Sequence, residues 1–358
     1  MLHGRVWDDP ARKDWYMLGV STTKRIGAFL LLAALPLASG ACNAGASAST
    51  NPNTTPSQQP PHGQPPPYYG QQPPYGQPNQ PPPPVQQRPL LAPLVGMPAM
   101  QQEVRSILAE LVNALGQQNQ ALVRGIPLTF DPTPEVNAFA GCDEQGAPFL
   151  AATAGILEAV DAMAQTKATD ELFETQTYEA YCNAVLPGLA RSQNARAGLP
   201  AGIVPAPYGP DPRRWSRAHE IFDEIVAFTF GHELAHHYLG HTGCARGQGM
   251  GSAPDASRLG RLLTVVPLFN QAAEAASDSS GAVNALDAGR ARRPQYEWND
   301  AGALALLDLF ARLERAAGAG GPLSLLNPVA VLKTHPNPLA RIPWVQTVTR
   351  TWHLQHPG

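Results

Sequence analysis

Residues 230–241 read FGHELAHHYLGH, and these twelve residues include four histidines and one glutamate. His232 and His236 are four residues apart, so on a helix their imidazoles lie on one face about one turn apart. That spacing suits two nitrogen ligands of one tetrahedral zinc ion, at about 2.0–2.1 Å. Glu233 can reach a water at the metal without ligating it, and can act as general base and then general acid. This HExxH pattern therefore predicts zinc-assisted hydrolysis of peptide bonds.

His237 and His241 form a second pair with the same spacing. No glutamate stands between them in the position of the general base. Gly240 is suited to end the helix as a left-handed residue, which places His241 beyond the helix. We expect His237 on the flank of the helix and His241 in the loop or behind a ligand. Neither is expected to bind the metal.

A catalytic zinc ion needs a third protein ligand and an open coordination position. Residues 270–286 read NQAAEAASDSSGAVNAL and are expected to form a helix. Glu274 and Asp278 are four residues apart in it and face the same way. Glu274 can therefore supply the third ligand, and Asp278 can orient a ligating imidazole through its second nitrogen.

The alternative is a helix whose histidines only pack or face solvent. The segment before the motif is apolar on most sides of a helix, with Ile221, Phe222, Ile225 and Val226. Such a helix should be buried, and its histidines would be polar groups without partners unless they bound something. A metal site is therefore favoured over packing.

The chain divides by composition into parts with different physical properties. Residues 43–89 consist almost entirely of Pro, Gln, Gly, Ser and Asn, which cannot bury enough apolar surface to offset chain entropy. We expect a disordered linker there. Residues 90–358 are rich in Ala, Leu and Val and are long enough for a sizeable core. The formal charge is −3 and no basic cluster interleaves with aromatics, so no nucleic-acid partner is expected.

Residues 1–42 contain an export signal. Lys24 and Arg25 precede the apolar run 26–38, which ends in small residues and Cys42. The run is too short for a permanent transmembrane helix. Its end resembles a bacterial lipobox, with Ser39 where leucine is usual, and implies lipidation of Cys42; plain secretion is the alternative. Met17 begins a more ordinary signal than the charged residues before it, which suggests that translation starts there.

These features predict a lipid-anchored protein on the periplasmic side of a bacterial cell envelope. Asn43 after the lipidated cysteine is not the aspartate that signals inner-membrane retention in enteric bacteria, which favours the outer membrane. Three further cysteines, Cys142, Cys182 and Cys244, allow one disulfide and leave one thiol. The pair Cys142–Cys182 is slightly favoured, and the other pairings stay open.

The apolar periodicity predicts an α+β fold that is predominantly helical. Three short runs, 125–130, 135–140 and 147–153, are expected to form a small antiparallel sheet. Residues 183–214 are expected to be loop rather than core. Helices are predicted at 100–118, 154–165, 216–239, 258–268, 271–286, 300–317 and 338–352, the 216–239 helix being capped by Ser216.

The motifs in this order resemble a known group of enzymes. HELAHHYLGH followed by EAASD is similar to the zinc endopeptidases of the CAAX-prenyl-protease, HtpX and BepA group. NAFAGCDEQGAPFLAATAGIL resembles the strand, turn and second strand of that group, and THPNPLARI resembles its late HP…RI element. The resemblance covers residues 136–342 and implies a zincin-like domain with a small sheet beside the active-site helix.

Two differences from that group are relevant to function. Residues 175–215 look like an insertion before the active-site helix, and GCDEQG replaces the usual glycine-rich turn. Multi-pass membrane segments and a 34-residue helical repeat are both absent from the sequence. Soluble BepA-like members are therefore the most similar, without repeat-mediated partner binding.

The resemblance also implies roles for His335 and Arg341. In BepA-like members the matching histidine lies on a loop over the metal and can occupy the open coordination position, which would make it a gate; a catalytic role in stabilising the transition state is the alternative. Arg341 could pair with Asp278 or another carboxylate and hold this segment against the site. The strand around residues 137–140 is expected to pair with an extended peptide substrate.

The function expected from these residues is an exported zinc metalloendopeptidase that cleaves envelope or misfolded proteins. Its partners would be protein or peptide substrates, and its membrane contact would be the lipid anchor only. The alternatives are an idle protein that keeps zinc for structure and a scaffold that acts through its linker. An intact Glu233 argues against the idle protein, because a structural zinc site does not need a general base.

Overall fold

The computed structural model describes residues 96–245, 271–292, 297–318 and 330–357. The predicted export signal with Cys42, the predicted linker at 43–89 and the helix predicted at 258–268 lie outside these ranges. The described part is mostly helical and contains one small sheet. This confirms the predicted α+β, predominantly helical class.

Three short strands form the sheet beside the long central helix. They are β1 (Leu128–Asp131), β2 (Ala138–Cys142) and β3 (Pro148–Thr153), in the order β1-β3-β2. β2 and β3 are an antiparallel hairpin, whose turn is held by the Asp143 carboxylate accepting from Gln145 and Ala147 amides at 2.9 and 2.7 Å.

The prediction of a purely antiparallel sheet is wrong. β1 pairs with β3 in parallel, from Leu128 opposite Leu150 to Asp131 opposite Thr153. After β1 the chain forms β2 at the opposite edge of the sheet, and β3 then fills the position between them. The first two strands are therefore not neighbours. Alternating apolar residues predict the position of each strand, but they do not predict which strand it pairs with or in which direction. β2 is consequently an edge strand within the described sheet.

The helices in the described ranges are α1 (Met97–Ala114), α2 (Gln117–Val123), α3 (Ala154–Phe173), α4 (Thr177–Leu189), α5 (Pro212–Tyr238), α6 (Gln271–Arg290), α7 (Ala301–Ala316), α8 (Ala330–Thr334) and α9 (Pro338–Gln355). Six of them, α1, α3, α5, α6, α7 and α9, lie close to predicted positions, and α2, α4 and α8 were not predicted. The cap of α5 is Asp211, whose carboxylate accepts from the Arg213 amide at 2.8 Å, and not Ser216. Pro212 at the first helical position suits this earlier start. At the other end Gly240 has φ +81°, the left-handed conformation expected of it.

α5 is the central helix of the core. It packs against α1, α3, α6, α7 and strand β2, so that nearly every side chain from Ile221 to Tyr238 is buried. The crossing of α5 with α6 is close because two glycines face each other. A Cβ on Gly281 would lie 2.5 Å from the His232 amide nitrogen, and one on Gly231 would lie 2.8 Å from the Gly281 carbonyl oxygen. This approach places the two predicted ligand-bearing helices side by side.

The expectation that residues 183–214 are loop rather than core is correct for the irregular chain at 190–211 and wrong for the helix before it and for several buried side chains. α4 continues to Leu189 through Pro187, and the following connection places Ala197, Leu199 and Val204 in the core. The Pro and Gly residues suggested a loop, but the buried side chains of α4 recur at helical spacing: Tyr178, Tyr181, Cys182, Val185, Leu186 and Leu189.

The disulfide joins Cys142 to Cys244, and Cys182 is a buried free thiol. The slightly favoured pair Cys142–Cys182 is therefore wrong, because Cys182 lies on α4 within the helical core. The bond ties the end of β2 to the loop after α5.

In the described ranges, no helix has both the length and the apolar composition needed to cross a membrane.

Candidate metal centre

α5 and α6 bring three predicted ligands to one point. His232 Nε2 and His236 Nε2 are 3.0 Å apart, on one face of α5. The Glu274 carboxylate of α6 lies opposite, with Oε2 3.6 Å from His232 Nε2 and Oε1 3.3 Å from His236 Nε2. Two ligands at about 2.0–2.1 Å from one tetrahedral ion would lie about 3.3 Å apart. The three side chains are thus spaced as ligands of a single ion.

His335 completes a group of four. It lies in the link between α8 and α9, and its Nδ1 is 3.1 Å from Glu274 Oε2. One ligand atom from each of the four side chains falls within 4.8 Å of the others, and all four side chains are buried. They could bind a metal ion. The late HP element therefore does lie over the HExxH helix, as the sequence predicted.

Glu233 lies beside this group without being one of its four members. Its Oε1 is 3.5 Å from His335 Nε2, and its carboxylate accepts a hydrogen bond from the Ala140 amide of β2. Burial raises the pKa of Glu233, against the lowering effect of His335 and His232. A raised pKa makes a carboxylate a stronger proton acceptor, as a general base must be.

Asp278 holds His232 from the side away from the group of four. The His232 Nδ1–H donates to Asp278 Oδ1 at 2.9 Å, which leaves Nε2 unprotonated and free to bind a metal ion. Arg341 donates two hydrogen bonds to the same carboxylate, from Nε to Oδ2 at 2.7 Å and from Nη2 to Oδ1 at 2.6 Å. Burial would raise the pKa of Asp278, but Arg341 outweighs burial and lowers it to about 2. The Arg341–Asp278 contact proposed from the sequence is present.

The two ring nitrogens of His335 both face acceptors. Nδ1 faces Glu274, and Nε2–H donates to the Ala138 carbonyl of β2 at 3.3 Å. Burial would lower the pKa of His335, but Glu274 and Glu233 raise it to about 9. Loss of the Nδ1 proton would make that nitrogen a metal ligand.

His237 and His241 are placed by contacts outside the group of four. His237 is buried, and not on the helix flank as expected: its Nε2–H donates to the Phe149 carbonyl of β3 at 2.9 Å and its Nδ1 accepts from the Thr242 hydroxyl at 3.0 Å. Burial lowers its pKa to about 4, so the ring is neutral. His241 lies in the loop after α5, as expected, with Nδ1 3.0 Å from His236 Nδ1. Burial lowers the pKa of His241.

Charge balance is the test of whether a divalent cation fits here. Glu233, Glu274 and Asp278 place three carboxylates in the interior, and Arg341 is the permanent cation among the described residues that contact them. With a neutral His335, as a ligating imidazole must be, two negative charges remain, and buried charge without compensation is costly. Glu233 Oε2 and Glu274 Oε1 are also buried without a hydrogen-bond partner in the described part of the chain. A divalent cation held by Glu274 and the two α5 histidines would supply the charge and the missing contact of Glu274 Oε1.

The surroundings of the site are apolar on one side and a strand edge on the other. A cavity of about 20 Å³ adjoins Glu233 and His335 and is lined chiefly by apolar side chains of α3, α5, α7 and α8. On the other side β2 offers the Ala138 carbonyl and the Ala140 amide. With His335 over it, the group has almost no contact with solvent: its most exposed member, His335, is 5% exposed.

Several residues that position the site were not found by sequence reasoning. Gly231 and Gly281 allow α5 and α6 to approach, and Ser277 contacts the His241 ring at 3.2 Å. A signal existed for Gly281, which follows Glu274 by seven residues, about two turns, and so lies on the face of α6 that carries the ligand. The contact of Ser277 with His241 could not be predicted from the sequence, because one serine does not stand out in an Ala/Ser-rich helix.

Comparisons with protein families, curated proteins and solved structures find no match for this chain. The chemistry of the site is therefore inferred from its own atoms.

Proposed function

We propose that this protein is a zinc-dependent endopeptidase. The observation that carries the proposal is the arrangement around His232 and His236: two imidazole nitrogens 3.0 Å apart, a carboxylate within 3.6 Å of both, and a second carboxylate, Glu233, beside them. Two histidines and one glutamate are a ligand set of catalytic zinc sites, and a structural site would not need the adjacent glutamate. The family resemblance of the HExxH, EAASD and HP…RI motifs supports the same proposal.

Each residue of the chain has a distinct task in this reaction. Zinc, when bound by His232, His236 and Glu274, supplies a Lewis acid that polarises the peptide carbonyl and makes water more acidic. Glu233 takes the proton of the attacking water at its carboxylate and gives it to the amine that leaves. Its raised pKa, caused by burial, suits both halves of this transfer.

Substrate would lie along the edge of β2, beside the general base. Extended peptides add to exposed sheet edges through main-chain hydrogen bonds, and β2 has an edge next to Glu233. His335 now uses the Ala138 carbonyl of that edge, at 3.3 Å. Movement of His335 would release both the carbonyl and the space over the site. We therefore assign His335 the role of a gate, with Arg341 holding the segment that carries it.

The cellular role belongs to the same proposal. The export signal, the lipobox-like end at Cys42 and the linker at 43–89 support a lipid-anchored enzyme of the cell envelope. The resemblance to BepA-like endopeptidases supports envelope or misfolded proteins as its substrates.

Hydrolysis of casein by the purified protein tests the proposal. We expect activity with about one zinc ion per chain, loss of activity with a chelator and recovery on adding zinc.

Glu233→Gln should abolish hydrolysis and keep the zinc, because the base is lost and the ligands remain. Glu274→Ala should instead lower the zinc content. A Glu233→Gln protein that cleaves casein at the wild-type rate would refute the assignment of the base, and zinc binding without any cleavage by the wild type would favour the structural-zinc alternative.

A further inference from the structure

The two histidines of the HExxH helix are held by different groups at their second nitrogens. His232 Nδ1 donates to a carboxylate, that of Asp278, at 2.9 Å. His236 Nδ1 instead faces another imidazole nitrogen, His241 Nδ1, at 3.0 Å. Two ring nitrogens at this distance share one hydrogen, so one of the two must carry the proton and the other must accept it.

The direction of this hydrogen bond follows from the other side of the His236 ring. His236 Nε2 points into the group of four, 3.0 Å from His232 Nε2 and 3.3 Å from Glu274 Oε1. A ligating Nε2 has no proton, so the proton of a neutral His236 is on Nδ1. His241 Nδ1 must then be the acceptor, and the proton of His241 must be on its own Nε2.

We propose that His241 is a positioning residue that fixes His236 in the tautomer able to bind a metal. Asp278 accepts the Nδ1 proton of His232 through a carboxylate. His241 accepts the Nδ1 proton of His236 in the same way, through a neutral ring nitrogen. A carboxylate in place of His241 would add a fourth buried negative charge to a site that already holds three carboxylates and one arginine. A neutral acceptor orients the ligand without that cost.

The loop after α5 is built to keep His241 in place. Gly240 turns the chain in the left-handed conformation, and its amide donates to the His237 carbonyl at 3.0 Å. The Thr242 amide donates to the His236 carbonyl at 3.2 Å, and the Thr242 hydroxyl contacts His237. Two residues further on, Cys244 is bonded to Cys142 of β2. The loop is therefore fixed on both sides of His241.

α6 supports both positioning groups from adjacent residues. Asp278 contacts His232, and the hydroxyl of Ser277 lies 3.2 Å from His241 Nδ1. Both side chains are fully buried. Since Glu274 comes from the same helix, α6 supplies one ligand and the supports of the other two.

The test compares zinc affinity in two variants of the full-length protein, by competition with a chelator. His241→Leu removes the acceptor and should weaken zinc binding about 10–100-fold, the usual effect of losing such a partner. His241→Asn offers an oxygen near the position of Nδ1 and should stay within a few-fold of wild type. His219→Leu, on the exposed face of α5, is the matched control and should leave the affinity unchanged.

A readout on the wild type itself does not depend on how the variants fold. Nitrogen NMR of the zinc-loaded wild type should place the proton of His236 on Nδ1 and that of His241 on Nε2. His241→Leu with unchanged affinity would overturn the proposal, and so would a His241→Asn protein as weak as the leucine variant, or the opposite tautomers. The inference concerns metal binding, so zinc binding without peptide cleavage would refute the proposed activity alone. A wild type that binds no zinc would refute both.

Discussion

At the scale of residues, the buried charges explain why the site is assembled from so many polar side chains. Glu233, Glu274 and Asp278 are all buried, and Arg341 contacts two of them: Asp278 through two nitrogens and Glu274 at 3.0 Å. Arg341 is itself only 3% exposed. Each member of this group compensates the burial of another, so removal of one leaves an uncompensated charge.

Arg341→Ala should therefore destabilise the protein strongly. Breaking a buried ion pair by removing one partner costs about 3–5 kcal/mol, because the remaining charge keeps its desolvation penalty. The measurement is urea unfolding of the metal-free protein. Arg350→Ala, an exposed arginine on the same helix, should change the free energy of unfolding by less than about 0.5 kcal/mol. Equal effects of the two substitutions would mean that the buried network contributes nothing.

His335→Ala should keep about one zinc ion per chain and raise the rate of casein hydrolysis. Three ligands remain, while the ring that covers the site and occupies the Ala138 carbonyl is gone. If the open form is about 10% populated, the gain can reach about tenfold. His353→Ala, an exposed histidine on α9, is the control. A slower reaction with unchanged zinc would show that His335 assists the reaction and is not a gate.

The donor residues could be named from the sequence because their spacing is local. Residues i and i+4 of a helix face the same way whatever the rest of the fold does, which is why His232 and His236 or Glu274 and Asp278 could be paired in advance. The buried position of His237 could not be predicted from the sequence, because it depends on a hydrogen bond to the Phe149 carbonyl, 88 residues away in sequence. His335 was found only through the resemblance of its motif.

At the scale of elements, the site depends on how closely α5 and α6 approach. Glycines at both sides of the crossing remove the Cβ atoms that would hold the helices apart. The ligands of α5 and the ligand of α6 then fall within reach of one ion. The spacing of the two helices is thus set by residues that carry no side chain.

Gly281→Ala separates this role from ordinary helix propensity. In a helix with free space, alanine is more favourable than glycine by about 1 kcal/mol. At position 281 the added Cβ would lie 2.5 Å from the His232 amide nitrogen, so the helices must move apart, at a cost of about 1–3 kcal/mol. We expect lower stability in thermal unfolding and weaker zinc binding.

Gly188→Ala is the matched control for that experiment. Gly188 is also inside a helix, α4, and the nearest atom to an added Cβ is the Ala195 Cβ at 3.9 Å, an ordinary contact. This variant should be as stable as the wild type or more so. If Gly281→Ala were equally well tolerated, the close crossing would not be what positions the ligands.

The elements themselves were more predictable than their connections. All three strands and the helices of the active-site region could be placed from apolar periodicity. The direction of β1 and the disulfide partner could not, because both depend on contacts between segments far apart in sequence. α4 was missed in part because Pro187 and Gly188 suggested a loop, although its apolar residues keep helical spacing.

At the scale of the whole molecule, the proposed lipid anchor and linker would set where the site works. Cys42→Ser should move the protein from the membrane fraction to the soluble periplasmic fraction, because the lipid group on that cysteine is the proposed anchor. Fractionation followed by immunoblotting measures this. Ser39→Leu, which restores the usual lipobox residue, should stay with the membrane. A membrane-bound Cys42→Ser protein would show that some other part of the chain holds it there.

The Cys142–Cys244 bond makes a closed covalent ring of the chain between the two cysteines, which are 102 positions apart. The ring contains α3, α4 and all of α5, and thus His232 and His236, while Glu274 and His335 lie outside it. Between α4 and α5 the ring includes an exposed stretch, residues 191–194, that another protease could cut. A single cut there would open the ring without releasing a fragment, since both pieces stay joined through sulfur. A nicked molecule would run as one band on a non-reducing gel and as two after reduction, with its histidines still tethered to the rest of the donor set.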